Sequence, residues 1–418
     1  MSKIRIEGRK ELTGTIEISG AKNSVVALIP ASILCDEQVT ISNVPNITDV
    51  DALEEILLHL NAKIARTDNT VVINSNNVEN KEIPEELSNK LRASYYFMGA
   101  LLGKFKKVDI YFPGGCVIGE RPINLHLAGF ESLGAKITEK DNHFIIEAEE
   151  LNGNNIYLDM PSVGATINII LAATKAKGKT IIENAAQEPE IVNIATFLNS
   201  MGAKITGAGT STITIEGVDY LHSSFHEVIP DRIEAGTYLI IASLLGHKLR
   251  LTNLIPSHIE SLTSKLKEAG VKMTIGKDYI YIKEPRNYKG INVTTQVYPG
   301  FPTDLQQPLV PFLTQCEGES TIEETIWENR FQNIPDTVKM GANITVEDNT
   351  IATIKGITPL HGSDVSATDL RGGASLVVCG LIAEGITTID NTKYILRGYN
   401  NIIEKLKNVG ASIELIDE

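Results

Sequence analysis

A chain of 418 residues that is 42% hydrophobic and 22% charged has the composition of a folded globular protein, and it fits no disordered, collagen-like or disulfide-scaffold class. Its length suits two to four domains or one large pseudo-symmetric one. Lys+Arg 38 against Asp+Glu 52 gives a net charge of −14, which repels nucleic acid and anionic membranes, so an anionic ligand must be met by particular cations.

In chain order, the run from Met1 to Ile6 alternates apolar and charged residues as a strand does and lacks the apolar centre of a signal peptide. The apolar run Val25–Leu34 predicts a buried helix, and Ser19-Gly20-Ala21-Lys22-Asn23-Ser24 leads into it. Helix N-terminal N–H groups beside Lys22 suit a phosphate or carboxylate, although a solvated lysine explains the same residues. Arg92 stands at the head of the next apolar helix. Phe112–Pro122 holds three glycines and two prolines, so it is a loop, and it presents Cys116 with Arg121 five positions on. Gly114 and Gly119 imitate phosphate-loop spacing, but Glu120 stands where that motif needs Lys. Ile167–Ala173 and Leu376–Ala383 read as core helices, well short of the ~20 residues of a membrane span.

Pro230, near the midpoint, marks a crossover between halves. His222 and His226 have the i,i+4 spacing of a ligand pair, but Ser223 and Ser224 lie between them, no Glu or Cys cluster is nearby and no metal is expected. Tyr298–Pro308 sets Asp304 at the start of an apolar helix, as a functional carboxylate or an N-cap. Arg371 and Arg397 each lie beside glycine, where backbone approaches a ligand closely. With Arg92 they suggest a polyanion site. Cys35, Cys116, Cys316 and Cys379 stand far apart, a usage that fits free thiols in a reducing cytoplasm.

One phrase recurs six times: Leu60-Asn61-Ala62-Lys63-Ile64, Leu133-Gly134-Ala135-Lys136-Ile137, Met201-Gly202-Ala203-Lys204-Ile205, Ala269-Gly270-Val271-Lys272-Met273, Met340-Gly341-Ala342-Asn343-Ile344 and Val409-Gly410-Ala411-Ser412-Ile413. Each follows a helix-period segment, so the Gly, or Asn61, sits at a helix C-cap with a strand beginning just after it. A second phrase, Gly followed by alternating residues and Asn, keeps the same beat at Gly178–Asn184, Gly246–Asn253 and Gly385–Asn391. The unit is a helix–strand–helix–strand module of about 70 residues, and six such modules divide as three plus three around a cleft.

The colinear set Gly20-Ala21-Lys22-Asn23, Leu91-Arg92-Ala93-Ser94, Pro113-Gly114-Gly115-Cys116, Arg121-Pro122, Pro161–Thr166, Glu183–Ala186, Glu188–Val192, Phe301-Pro302-Thr303-Asp304, Glu328-Asn329-Arg330-Phe331, Ala367–Arg371 and Arg397-Gly398-Tyr399 resembles the UDP-N-acetylglucosamine 1-carboxyvinyltransferases along the whole chain. The resemblance implies an α/β fold of two inside-out α/β barrel, or prism, domains of three repeats each. Residues 21–229 would form one domain and residues 1–20 with 230–418 the other, with the active site in the interdomain cleft. It implies that phosphoenolpyruvate donates its enolpyruvyl group to the 3′-hydroxyl of UDP-N-acetylglucosamine with release of phosphate, a committed step of peptidoglycan synthesis, with no cofactor, metal, nucleic acid or membrane partner. By the same resemblance Lys22, Asn23, Arg121 and Arg397 hold phosphoenolpyruvate. Arg92, Arg121, Pro122, Ile123, Asn124, Leu125, Ser162, Val163, Gly164, Asp304 and Ile326 hold the sugar nucleotide, with Arg371 also at the substrates. Cys116 is the proton donor, Asp304 the base, and Asp369 a further catalytic carboxylate.

Those residue types suit the chemistry. A thiol near its ordinary pKa of ~8.5 is still protonated at neutral pH and can donate to the enol carbon, a carboxylate can take the hydroxyl proton, and cations stabilise the phosphate and carboxylate. The family also suggests that the same thiolate traps an epoxide such as fosfomycin. A binding protein that had lost turnover would lack an acid, a base or a cation, and all are present. A redox thiol would need a resolving cysteine near Cys116, and there is none. The chain departs from the common family pattern at Ile395-Leu396 before Arg397, at Gly372-Gly373 after Arg371 and at Ile167 after Thr166.

Overall fold

The computed structural model describes residues 2–111 and 123–417. They form two compact units, residues 2–19 with 230–417 and residues 20–111 with 123–229, and each has its own hydrophobic core.

The apolar runs are helices buried on every side. In the unit of residues 20–229 these are α1 (Lys22–Ala31), α2 (Tyr96–Phe105) and α3 (Val163–Ala173), with α1 packed on α2 and α2 on α3. In the other unit α4 (Arg232–Leu245), α5 (Thr303–Thr314) and α6 (Leu370–Ile382) pack each on the other two. Every residue of α3 from Ala165 to Ala173 is buried, as a helix without a polar face requires. Helices such as Glu260–Ala269, which buries Leu262, Thr263, Leu266 and Ala269, cover only one side.

The two units repeat one sheet topology. A short strand runs parallel to the strand after the core helix, and an antiparallel hairpin completes the sheet. The order Asn155–Tyr157, Lys179–Glu183, Thr212–Glu216, Lys204–Thr206 is one instance, and Leu12–Glu17, Gly246–Thr252, Tyr279–Ile282, Met273–Ile275 is its counterpart in the other unit. The predicted N-terminal strand is Ser2–Glu7, and it fills the hairpin position of the last sheet, pairing antiparallel with both Ile386–Asp390 and Ser412–Asp417.

The recurring phrase is a helix stop. Asn61, Gly134, Gly202, Gly270, Gly341 and Gly410 all have positive φ, between 69° and 109°. In each copy the next residue donates its N–H five positions back, Ala62 to Leu57, Ala135 to Phe130, Ala203 to Leu198, Val271 to Leu266, Ala342 to Thr337 and Ala411 to Leu406. That is the Schellman closure, which needs a left-handed residue at the stop. The module is richer than helix–strand–helix–strand, because the strand after each of the first five stops is half of a hairpin, and the sixth pairs with the N-terminal strand instead. One hairpin turns on Asp141 and Asn142, both at positive φ, the geometry a two-residue turn needs to match the strand twist.

Candidate active site

In the unit of residues 20–229, Gly20 brings the chain to the head of α1. A Cβ there would lie 1.7 Å from the carbonyl oxygen of Asn43, so only glycine passes. Lys22, the first residue of α1, forms a 2.9 Å ion pair with Asp49, which is 4% exposed. A buried carboxylate therefore holds the ammonium at the helix N-terminus, where a solvated lysine would wander. Asn23 beside it is half-buried.

Arg92 opens a 3-10 turn, Arg92–Tyr95, that runs into α2. It lies near a residue the sequence did not single out, His126, whose pKa is pushed down to about 3 by burial and then by the charge of Arg92. Asn168 fixes the tautomer. Its Oδ1 accepts the N–H of Gly99 at 2.8 Å, so its amide N–H faces His126 Nδ1 at 2.9 Å and the ring proton resides on Nε2. Gly164 fits against that ring, since a Cβ would come 2.8 Å from Cε1, 3.0 Å from Nε2 and 3.1 Å from the Tyr95 hydroxyl.

Ser162 caps α3 by accepting the N–H of Ala165, and Val163 and Gly164 form its first turn. Ile123 is buried, Asn124 exposed and Leu125 half-buried at the head of the helix Asn124–Ser132. Arg92, His126 and Gly164 thus come together from three segments around two helix heads. Cys116, Arg121 and Pro122 lie outside the described residues. His226 bonds Asn193 at 2.8 Å and His222 bonds the Ser223 carbonyl, so the two histidines face different partners. Among the described residues the one His/Asp/Glu group with ligand-like spacing is Glu82, Asp109 and His143.

In the other unit Asp304 lies in the first turn of α5 but does not cap it, since the N-cap is Pro302, which offers no side-chain hydrogen bond. Its carboxylate is bracketed by two buried guanidiniums. Oδ1 accepts from Arg330 at 2.5 Å and Oδ2 from Arg371 at 3.2 Å, with the arginine side chains 1% and 4% exposed and Asp304 31% exposed. Burial opposes the charge of Arg371, but Asp304, Tyr399 and Asp231 more than restore it and hold its pKa above the ordinary value.

Asp369 caps α6. Its Oδ1 accepts the N–H groups of Arg371 and Gly372 at 2.9 and 3.1 Å, and its Oδ2 accepts from Gln307 at 3.1 Å. Arg397, half-buried, ends the short helix Lys393–Leu396. The next residues reach the same corner. Gly398 lies where a Cβ would be 2.6 Å from the Leu370 side chain, and the Tyr399 ring centre is 5.4 Å from the Arg371 guanidinium. Ile326 is half-buried, its N–H bonded to Glu324.

Two of the departures from the family pattern fit each other. A Cβ on Gly373 would sit 2.5 Å from Cγ1 of Ile395, so the glycine makes room for the isoleucine. Sequence reasoning gave no role to Arg330, Gln307, Glu324, His126 or Asn168. Arg330 and Gln307 were at least inside singled-out segments, while the others gave no signal, because a charged or amide residue reads as surface until its burial is known.

With this geometry in view, the sequence pattern of the EPSP synthase (3-phosphoshikimate 1-carboxyvinyltransferase) family matches residues 6–406. The enolpyruvyl transferase NikO from Streptomyces tendae superposes with a TM-score of 0.89 at 26% identity, covering 99% of this chain and 98% of its own. The EPSP synthase of Acinetobacter baumannii shares the fold, at a TM-score of 0.75, 18% identity and full coverage of both chains. The class is therefore an α/β enolpyruvyl transferase. UDP-N-acetylglucosamine 1-carboxyvinyltransferase 2 of Listeria monocytogenes is 51% identical over 98% of this chain and 97% of its own, and UDP-N-acetylglucosamine 1-carboxyvinyltransferase 1 of Streptococcus agalactiae is 50% identical over the full length of both. The chain belongs to the UDP-N-acetylglucosamine 1-carboxyvinyltransferase family of enzymes. Relatives numbered 1 and 2 match it equally well. No helix among the described residues is long and apolar enough to cross a membrane.

Proposed function

We propose that this enzyme transfers the enolpyruvyl group of phosphoenolpyruvate to the 3′-hydroxyl of UDP-N-acetylglucosamine and releases phosphate, in the cytoplasm, at the entry to peptidoglycan synthesis. The observation that carries the reading is Asp304, a partly exposed carboxylate held between two buried guanidiniums at a helix head. A sugar hydroxyl is a poor nucleophile until a base takes its proton, and the two ion pairs keep this base oriented.

The thiol of Cys116 gives its proton to the methylene carbon of phosphoenolpyruvate, leaving positive charge on the neighbouring carbon. The 3′-oxygen bonds to that carbon as its proton passes to Asp304. The Cys116 thiolate then takes a proton back from the new methyl group, which restores the double bond as the carbon–phosphate oxygen bond breaks and phosphate leaves with the proton held by Asp304. Lys22, Asn23, Arg121 and Arg397 neutralise the phosphate and carboxylate. Arg92, Arg121 to Leu125, Ser162 to Gly164 and Ile326 seat the sugar nucleotide, with Arg371 beside them. Asp369 acts by holding the head of α6, where Arg371 begins its work on Asp304. Each unit is read as a three-repeat prism, residues 21–229 in one and residues 1–20 with 230–418 in the other. An epoxide such as fosfomycin would alkylate Cys116.

Release of inorganic phosphate from phosphoenolpyruvate tests the reading. It should require UDP-N-acetylglucosamine, and phosphate release with shikimate 3-phosphate instead would overturn the choice of acceptor.

A further inference from the structure

We propose that Glu324 is a positioning residue for Asp304, acting through Thr303. The proposal rests on the reading of Asp304 as the base. Glu324 is 3% exposed and follows the strand Cys316–Glu323. Its carboxylate takes four hydrogen bonds, all from neutral groups. Oε1 accepts from the Thr295 hydroxyl at 2.9 Å and from the backbone N–H of Ile326 and Trp327 at 2.9 and 3.2 Å, and Oε2 accepts from the Thr303 hydroxyl at 2.9 Å. Among the described residues no cation pairs with it.

A carboxylate costs several kcal/mol to bury, and four neutral donors are a demanding way to offset that. What the arrangement achieves is a junction of the end of the strand Asn292–Thr294, the head of α5 and the turn through Ile326. The head of α5 needs such a junction. Its N-cap, Pro302, has no side chain able to bond the first turn, and Asp304 is the residue directly after Thr303. Without the Thr303–Glu324 bond the first turn of α5 would rely on the burial of Leu305, a 3.5 Å bond from Arg330 to the Thr303 carbonyl and Asp304's own ion pairs. The loop before it is already closed, with Gln296 donating to Phe301 at 2.9 Å and Gly300 packed where a Cβ would strike the Gln296 side chain at 2.5 Å. Slack at Thr303 would therefore pass to Asp304 and not into the loop. Displacing a catalytic group by about 1 Å costs up to ~10²-fold in rate. Glu324 itself is too buried and too fully bonded to take a proton from a substrate.

The test measures kcat, both KM values and thermal stability for Thr303→Val, Thr303→Ser, Glu324→Leu, Glu324→Gln and Asp304→Asn. Thr303→Val is isosteric and removes only the tether. It should lower kcat about 10-fold to 100-fold, leaving the KM for phosphoenolpyruvate within about threefold, and Thr303→Ser should restore activity. Glu324→Leu should reproduce the loss. Glu324→Gln keeps the three bonds to Oε1, and the Thr303 hydroxyl can turn to accept from the amide, so this variant should stay near wild type. If Glu324→Leu does not fold, Thr303→Val alone carries the test. The double variant Thr303→Val/Asp304→Asn should be no slower than Asp304→Asn, because the tether acts through that carboxylate. Unchanged kcat in Thr303→Val, or additive losses in the double variant, would overturn the proposal with the base reading intact. A near-normal kcat in Asp304→Asn would overturn the base reading itself, and the tether with it.

Discussion

The heads of α3 and α6 occupy matching places in the two units and carry opposite chemistry. At α3 the cap is the neutral Ser162, and Gly164 in the first turn lies against a histidine that burial and Arg92 keep uncharged. At α6 the cap is the carboxylate of Asp369, and beside it Arg371, Asp304 and Arg330 form a chain of full charges. One helix-head geometry thus carries a neutral cap in one unit and fixed ion pairs in the other. The first suits a ligand that must be recognised by shape and direction. The second suits a site where charge moves during a reaction, because groups already ion-paired need little reorganisation.

The sharpest way to break this contrast is to neutralise one charge at the α6 end. Asn in place of Asp304 is nearly isosteric and still accepts a hydrogen bond, but it cannot take up a proton. Asp304→Asn should lower kcat about 10²-fold to 10⁴-fold in the phosphate-release assay while the KM for UDP-N-acetylglucosamine moves much less. A kcat within about threefold of wild type would make Asp304 a binding residue and leave the charged corner without a catalytic purpose.

The second prediction concerns thiols. Both cores hold inert ones, since burial pushes Cys316 and Cys379 up to about 12 and raises Cys35 as well. Brief alkylation at pH 8 followed by peptide mass mapping should label Cys116 more than ~100-fold faster than any of the three, because only the thiolate reacts. Comparable labelling of Cys35 would remove the case for Cys116 as the acid.

Next, the two caps can be compared directly. Ser162→Ala should cost about 0.5–2 kcal/mol, the usual price of an N-cap. Asp369→Ala should cost more, by about 1–3 kcal/mol, because it also leaves the buried Gln307 amide without the carboxylate it donates to. Urea denaturation of both variants measures the difference, and equal losses would mean that the 3.4 Å bond from Gln307 to Asn333 suffices.

The sequence made the scaffold legible at its helix stops, because a left-handed residue at a C-cap leaves a chemical trace, Gly or Asn, at a fixed distance from an apolar helix. The hairpins were missed for the opposite reason. Asp141-Asn142 reads as a polar loop until the register Lys140–His143 shows it to be a two-residue turn. The strand Ser2–Glu7 was visible from its alternation, but its partners, Ile386–Asp390 and Ser412–Asp417, were not, since pairing across nearly the whole chain leaves no local mark. At the site, Lys22, Asp304 and Arg371 could be named from their neighbours in sequence. What holds them, Asp49, Arg330 and Glu324, could not, because burial of a charge is a property of packing.

The last prediction separates the units by acid. His126 and His226 both belong to the unit of residues 20–229, and burial pushes their pKa values down to about 3 and about 4. An unfolded histidine titrates near 6.5. Between that value and the folded one, the unfolded chain binds the proton and the native unit does not, so stability is complete above about pH 6.5 and falls on acidification by about 1.4 kcal/mol per pH unit for each histidine. In the other unit Glu234, buried against Lys405 and Ser19, has its pKa raised by burial. Its sign is reversed: the native unit holds that proton more tightly than the unfolded chain, so this group's contribution is present at low pH and is lost as pH rises through its folded pKa. Hydrogen exchange at pH 7 and pH 5 should therefore show protection falling in α3 and the helix Asn124–Ser132 while α4 and α6 change less. His126→Gln and His226→Gln should each flatten the loss. Equal loss of protection in both units, unaltered by the two substitutions, would place the acid sensitivity in groups that the units share.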